Sequence, residues 1–397
     1  MVQLVSTLST LMGYAIAVGY AIVAASLAYA VIALVRVALL RGRTPVSAIF
    51  LPPMTVLKPV CGLEPRLYEN LRSFCAQDYP EFQILFGVRD ASDPAIPVIE
   101  RLIREFPARG AALVIDSRVI GSNYKISNLA NMIGRARHDF LVISDADCKV
   151  GPRYLSEVAA AFADPRVGAV TCLYRGTPLG TRLANRLGAM FINEWFVPSV
   201  LVALLSEPLE YCFGATMAVR RRALEAIGGF EALASYLADD HMLGRRVAAS
   251  GYRVALARHI VEITISEPSL KALFRHELRW ARTMRAVRPR GYALSFVTDA
   301  LPLTILLGAA TGLCTSGLAL IATALSLRLL MHIVACATLG GETIPWPWLV
   351  PMRDVLTFAI RAASFVGRGV EWRQQRFSVR SDGRMVVNNL RGSEVPR

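Results

Sequence analysis

Three patterns of apolar and polar residues succeed one another along the chain. Residues 4–35 contain no charged side chain, a run long enough to cross a bilayer core of ~30 Å as a helix. Residues 54–290 instead alternate short apolar runs with amphipathic segments. The runs 54–57, 82–88, 112–115 and 140–144 read as strands, and 67–75, 96–106 and 126–133 carry apolar residues at helical spacing. Strands joined by crossover helices predict a mostly parallel sheet, which binds ligands at the carboxyl ends of its strands. Apolar character returns at 293–339, interrupted by Asp299 and Arg328. At about 20 residues per crossing this block predicts two spans, and Gly308-x-x-x-Gly312 within it offers a close-packing helix face. The stretch 344–366 is broken by Pro345, Pro347 and Pro351 and by Arg353, Asp354 and Arg361. It reads as interfacial or re-entrant.

This divides the chain into an N-terminal transmembrane helix (1–36), a soluble α/β domain (54–290), a C-terminal membrane region (293–366) and a basic tail (367–397). A cleaved signal peptide is the rival reading of the first run, but the run is too long and lacks a basic leading segment. Arg36, Arg41 and Arg43 follow it, and Arg368, Arg373, Arg376, Arg380, Arg384, Arg391 and Arg397 crowd the tail. The positive-inside bias places both on the cytoplasmic face.

Composition sharpens the class. Of 397 residues 54% are hydrophobic and 19% charged, which excludes disorder and argues against an entirely soluble protein. The 44 Lys and Arg outweigh 30 Asp and Glu, and only Lys58, Lys125, Lys149 and Lys271 among them are lysines. Such a surplus serves nucleic acid, an anionic membrane surface or phosphate-bearing substrates, and the hydrophobicity favours the last two. Nucleic acid drops out because the arginines gather beside the apolar blocks rather than along an aromatic-studded groove. Seven cysteines without a C-x-x-C give neither a zinc spacing nor a disulfide framework and read as reduced.

Neither G-x-G-x-x-G, nor a P-loop, nor a G-x-S-x-G elbow occurs in 54–290. What does occur, at the end of an apolar strand, is Ser144-Asp145-Ala146-Asp147. Two carboxylates at that spacing reach a hard cation that neutralises a diphosphate, although the same pattern also caps ordinary loops. Asp90 ends an earlier strand and is followed by Asp93-Pro94-Ala95. Asp239-Asp240 opens a helix, where acids also serve as caps and dipole partners. His276-Glu277-Leu278-Arg279-Trp280-Ala281-Arg282 lies on a basic helix leading to the second apolar block, a pattern shared with juxtamembrane polybasic helices.

In order and together these residues resemble the family 2 glycosyltransferases of GT-A fold, within them the ceramide glucosyltransferase branch. The likeness is carried by Leu57-Lys58-Pro59-Val60-Cys61-Gly62, Asn70-Leu71-x-Ser73-Phe74, Asp78-Tyr79-Pro80, Asp90-x-x-Asp93-Pro94-Ala95-Ile96 and Asn123-x-Lys125-Ile126-x-Asn128-Leu129. Phe213-Gly214-Ala215-Thr216-Met217, Gly228-Gly229-Phe230, Asp239-Asp240 and Arg279-Trp280 extend it. The wording at 170–176, 191–202 and 275–282 is most similar to the bacterial hopanoid-biosynthesis-associated glycosyltransferases. One position departs from the wider pattern: His276 stands where many members carry Gln or Arg.

The resemblance implies an α/β, Rossmann-like GT-A catalytic domain flanked by transmembrane helices in a bacterial inner membrane. It further implies an inverting hexosyl transfer from a UDP-sugar, UDP-N-acetylglucosamine for the hopanoid group, to a hydroxyl of a lipid such as bacteriohopanetetrol. A ceramide glucosyltransferase using UDP-glucose is the alternative; a processive polysaccharide synthase needs more crossings, and a non-catalytic anchor should lack the acids. Asp240 is then the general base, with Asp239 its rival. Asp147 and Asp145 hold Mg²⁺ or Mn²⁺. Asp90 meets the base or ribose, and Lys125 and Arg279 meet phosphate. Lys58, Asp145, His276 and Trp280 complete the donor side, Trp280 serving equally well as an interfacial anchor.

Overall fold

The computed structural model describes residues 2–42, 50–340 and 346–367 and, of the C-terminal segment, 369–372, 375–379 and 384–387. Arg43, Pro345 and the tail residues Arg368, Arg373, Arg380, Arg391 and Arg397 lie outside them. The chain divides into two compact units, each assembled from three separate segments. One comprises Arg43–Leu179, Pro208–Ser266 and Arg368–Arg397, the other Met1–Gly42, Gly180–Glu207 and Glu267–Gly367. The stretch 54–290 is thus shared: 180–207 and 267–290 belong to the second unit.

The first unit is built on an eight-stranded sheet: β1 (Met54–Pro59), β2 (Phe82–Val88), β3 (Ala112–Ile115), β4 (Phe140–Ser144), β5 (Cys148–Lys149), β6 (Val167–Pro178), β7 (Thr216–Arg220) and β8 (Arg253–Ile265), in the order β3-β2-β1-β4-β7-β6-β8-β5. The first four strands pair in parallel, as the run of apolar strands and crossover helices predicts. The rest is mixed, because β7 runs antiparallel to both β4 and β6, and β5 antiparallel to β8. Every residue of β1 and β2 is buried, as expected of strands covered on both faces. The helices Leu67–Cys75 and Ile96–Glu105 pack side by side over the sheet through Leu71, Phe74, Ile99 and Leu102, and Tyr124–Met132 packs on β1 and β2 as well.

Register fixes the working edge. Leu57 lies opposite both Leu85 and Ile143, so the loops that follow β1, β2 and β4 emerge side by side. Two of these loops are tied together by Asp93, whose carboxylate accepts the Gly62 backbone N–H at 3.0 and 3.1 Å and the Ala95 N–H at 2.9 Å. Gly87, in β2, is required by contact: a Cβ there would stand 2.2 Å from Asn128 Oδ1, whose own amide donates to the Gly87 carbonyl at 2.8 Å. The C-terminal segment, expected as a basic tail, contains a three-stranded antiparallel sheet of Gly369–Trp372, Gln375–Val379 and Met385–Val387.

The second unit is helical. Two of its helices are long and apolar enough to cross a membrane, Ser6–Gly42 and Thr315–Leu339. The other crossing expected in 293–339 is not one straight helix. Pro289–Thr298 and Ala300–Ala310 meet at a bend of 69°, and 11 residues rise only about 16 Å. Gly308 does pack closely, since a Cβ on Gly317 would lie 3.2 Å from its Cα. Gly312 is not part of that face; at φ +74° it makes the turn into the next helix.

The proline-broken stretch contains the helix Leu349–Ser364, and its charges point inward. Arg353 forms a two-pronged pair with Glu277 at 2.8 and 2.7 Å, both buried, and Arg361 pairs with Asp299. Asp354 pairs with Arg328 at 2.8 Å, so each of the three charges that interrupt the hydrophobic pattern has an opposite charge beside it.

Candidate active site

The carboxylates singled out in the sequence converge in the sheet unit. Asp145 and Asp147 lie in the turn between β4 and β5, closed by the Cys148 N–H on the Asp145 carbonyl at 3.3 Å. Asp239 and Asp240 open the helix Asp239–Ala249. Lys125, in the first turn of Tyr124–Met132, bridges the two groups. Its Nζ is 2.6 Å from Asp145 Oδ1 and 3.6 Å from Asp239 Oδ2, and donates to the Gly214 carbonyl at 3.4 Å.

The placement follows from one side chain. Asn123 is the N-cap of Tyr124–Met132, its Oδ1 accepting from the Lys125 and Ile126 backbone N–H groups. Its Nδ2 donates to the Tyr236 carbonyl at 2.9 Å and to Asp239 Oδ1 at 3.2 Å. One amide therefore starts a helix and positions the loop that delivers the second acid pair. Its motif is visible in the sequence; its second task is not, because the partner lies more than 110 residues away.

Burial and charge crowding perturb Lys125, Asp147, Asp239 and Asp240. Burial works against the Lys125 ammonium, yet Asp145 and Asp239 together hold its pKa above the ordinary lysine value. Burial, with Asp145 and Glu64 as further negative neighbours, raises Asp147 to about 6. Asp239 is raised by burial against the pull of Lys125. Burial and the adjacent Asp239 push Asp240 up to about 7, despite the His241 backbone N–H at 2.7 Å. Gly214 leaves room for this carboxylate, for a Cβ there would lie 3.1 Å from Asp240 Oδ2.

The remaining positions differ in kind. Lys58 is fully buried; its ammonium reaches the Asp145 carbonyl and Ser144 Oγ and lies 3.7 Å over the Phe74 ring. That geometry supports the D-x-D turn from behind, and burial lowers its pKa to about 8. Asp90 is exposed after β2, its Oδ1 held by the Ser92 N–H and hydroxyl, which lower its pKa.

His276, Arg279 and Trp280 lie on Leu270–Val287 in the helical unit. His276 Nδ1 contacts Glu267 Oε1 at 2.6 Å, and its ring packs 4.3 Å from that of Trp280, which stacks on Phe191 at 6.0 Å. The Arg279 guanidinium is half-buried with no hydrogen-bond or ion-pair partner among the described residues, and burial lowers its pKa to about 10. Sequence reasoning passed over Glu277 in the same motif, whose two-pronged bond to Arg353 anchors this helix.

A divalent cation fits the D-x-D turn. Mg²⁺ and its like are commonly held by one or two carboxylates plus substrate phosphates. No cluster of three or more His, Cys, Asp or Glu ligands occurs among the described residues. Asp147, raised by burial and by like charge and contacted only weakly by the Cys148 thiol at 3.5 Å, is the carboxylate with capacity to spare. Asp145 is shared with Lys125.

Comparison with known proteins follows the same lines. The chain is 25% identical over 244 residues to ceramide glucosyltransferase 1 of Caenorhabditis elegans, an alignment covering 60% of this chain and 51% of the relative. It is 31% identical over 134 residues to a ceramide glucosyltransferase of Gibberella zeae, covering 31% and 25%. It thus spans about half the length, or less, of these relatives. Among solved structures, a mannosyltransferase of Pyrobaculum calidifontis in complex with GDP-Man and Mn²⁺ superimposes with a TM-score of 0.50 at 21% identity, covering 88% of this chain and 99% of that one. That likeness establishes the mixed α/β GT-A fold. The model of glycosyl transferase family 21 matches residues 18–385, which supports the ceramide glucosyltransferase-like part of the resemblance and puts family 21 in place of family 2: the chain belongs to glycosyl transferase family 21.

Proposed function

We propose that the protein transfers a hexose from a nucleotide sugar to a hydroxyl of a membrane lipid, with inversion, at the cytoplasmic face of a bacterial inner membrane. The observation that carries this reading is the Lys125 bridge, which holds a D-x-D turn and a paired acid in one cluster in a chain of this family. Asp240 is the general base. A carboxyl raised to about 7 suits that task, because a base works best with a pKa near the operating pH.

Asp147, with Asp145, would hold Mg²⁺ or Mn²⁺; the Mn²⁺ in the mannosyltransferase of the same fold supports the assignment. Such an ion supplies Lewis-acid stabilisation of the departing diphosphate. Lys125 sets the charge balance among the acids, and Arg279, which has no hydrogen-bond or ion-pair partner among the described residues, offers its planar fork to phosphate. Asp90 keeps one carboxylate oxygen clear of Ser92 for ribose or base hydroxyl and N–H groups. Asp239, bonded to Asn123 and close to Lys125, orients the cluster.

The ceramide glucosyltransferases among the relatives support ceramide as acceptor and glucose as the sugar transferred, for which the family resemblance implies UDP-glucose as donor. The hopanoid reading, with UDP-N-acetylglucosamine and a bacteriohopanetetrol-like polyol, rests on the wording of three sequence segments and is the weaker. Incubating the purified full chain with each UDP-sugar and with ceramide, bacteriohopanetetrol or a soluble alcohol, followed by mass spectrometry of products, tests both. Glycosylated ceramide is the expected product. Equal transfer to the soluble alcohol would remove the lipid-acceptor reading.

A further inference from the structure

The helical unit contains a polar cavity that the proposed transfer chemistry leaves unused. Glu194 and Trp195 reach it from a single π-helical stretch, Ile192–Phe196, set between two α-helical segments. Arg328 and Asp354 form its opposite wall, and Ala30 and Ala33 of the first membrane helix give it an apolar side. Its free volume is about 30 Å³, room for one small polar group such as a hydroxyl or amide N–H.

Its charges are balanced almost completely. Arg328 makes a multiple contact with Asp354 at 2.8 to 3.0 Å, and His332 Nδ1 lies 2.7 Å from Glu194 Oε1. One atom stands out. Glu194 Oε2 is buried and accepts no hydrogen bond from any described residue, Arg328 Nη2 approaching only to 3.5 Å without hydrogen-bond geometry. The residue is 5% exposed.

A buried carboxylate oxygen without a donor is costly and calls for an explanation. π-Bulges of this kind recur at functional sites. An anionic ligand would face Glu194 and Asp354, whereas an uncharged O–H or N–H would complete Oε2 and leave the ion pairs intact. The alanine side suits the first methylenes of a hydrocarbon chain.

We propose that this cavity binds the uncharged, hydrogen-bond-donating polar group of the lipid acceptor, donating to Glu194 Oε2. The inference deepens the lipid-acceptor reading and rests on it.

The test uses the full-length chain in nanodiscs, an alkyne-tagged photoreactive ceramide, and the variants Glu194→Gln and Ala30→Leu. Labelling of wild type is expected in peptides containing residues 190–198 and 327–331, reduced at least fivefold in both variants. The KM for ceramide should rise at least tenfold in Ala30→Leu while the KM for UDP-glucose stays unchanged. Label confined to other peptides, or an unchanged ceramide KM in folded Ala30→Leu, overturns the proposal. Equal transfer to soluble alcohols with the labelling intact would instead remove the lipid-acceptor reading and leave the cavity standing as a lipid-binding site. Should Glu194→Gln fail to fold, Ala30→Leu decides alone.

Discussion

Lys125 and Asp145 meet at 2.6 Å, and the same ammonium stands 3.6 Å from Asp239, so one buried cation compensates acids that arrive from two distant parts of the chain. Replacing it by a neutral residue leaves uncompensated charge in a low-dielectric site. Removing one partner of a buried pair typically costs about 3–5 kcal/mol. Lys125→Met should therefore lower the melting temperature clearly in a fluorescence unfolding scan and reduce turnover at least about 100-fold. Wild-type melting would exclude the bridging role.

Asp240 makes the pH dependence explicit. With Asp239, Asp145, Lys125 and the His241 N–H around it, its carboxyl is raised to about 7. A base must be ionised to accept a proton, so kcat/KM should fall as pH drops through about 7 and level off above it. Asp240→Asn should cost about 10²–10⁴ in turnover with donor affinity retained, as read by calorimetric titration of UDP-glucose. The same raised pKa makes ionisation unfavourable to the fold: the group binds more protons folded than unfolded between about pH 4 and 7, so stability declines as pH rises across that window. Asp240→Asn should accordingly melt higher than wild type at pH 8, with the difference vanishing near pH 4.

Asp147 gives the metal arm. In Asp147→Ala the Mn²⁺ concentration for half-maximal turnover should rise at least tenfold, and donor binding in the presence of chelator should match that of wild type. Metal-independent activity in this variant would eliminate the assignment.

Gly87 and Asn128 provide a structural control away from the acids. Gly87→Ala forces a methyl group into Asn128 Oδ1 and Met132 Sδ, at 2.2 and 2.5 Å, and should cost about 1–3 kcal/mol by overpacking. In an Asn128→Ala background the same substitution should cost measurably less, since the nearer of the two obstructing side chains is gone and only Met132 remains. Additive losses in denaturant melts would contradict the contact.

The strands at 54–57, 82–88, 112–115 and 140–144 were legible because period and apolar composition are local properties, and all four formed where expected. The acids Asp145, Asp147, Asp239 and Asp240 were legible for a similar reason, since each pair sits at an element boundary. What the residues did not reveal is where pairing is long-range. Glu277 with Arg353, Glu194 with His332 and Asn123 with Asp239 join positions 76, 138 and 116 residues apart. Nor does an apolar block reveal its breaks: Ala300–Ala310 has no charged residue and Thr315–Leu339 only Arg328, so the bend of 69° before the first leaves no periodic trace.

Because each unit is stitched from three separate stretches, neither can be obtained by trimming the chain at its ends. A fragment cut at 54 and 290 keeps Leu183–Phe191 and Leu270–Val287 but discards Leu349–Ser364, stranding Glu277 without Arg353 and baring Leu187, Met190 and Leu273. During synthesis, likewise, neither unit is complete while the other is still absent from the emerging chain. Soluble expression of the sheet unit thus calls for a redesign that excises 180–207 and rejoins the flanking strands, not a truncation.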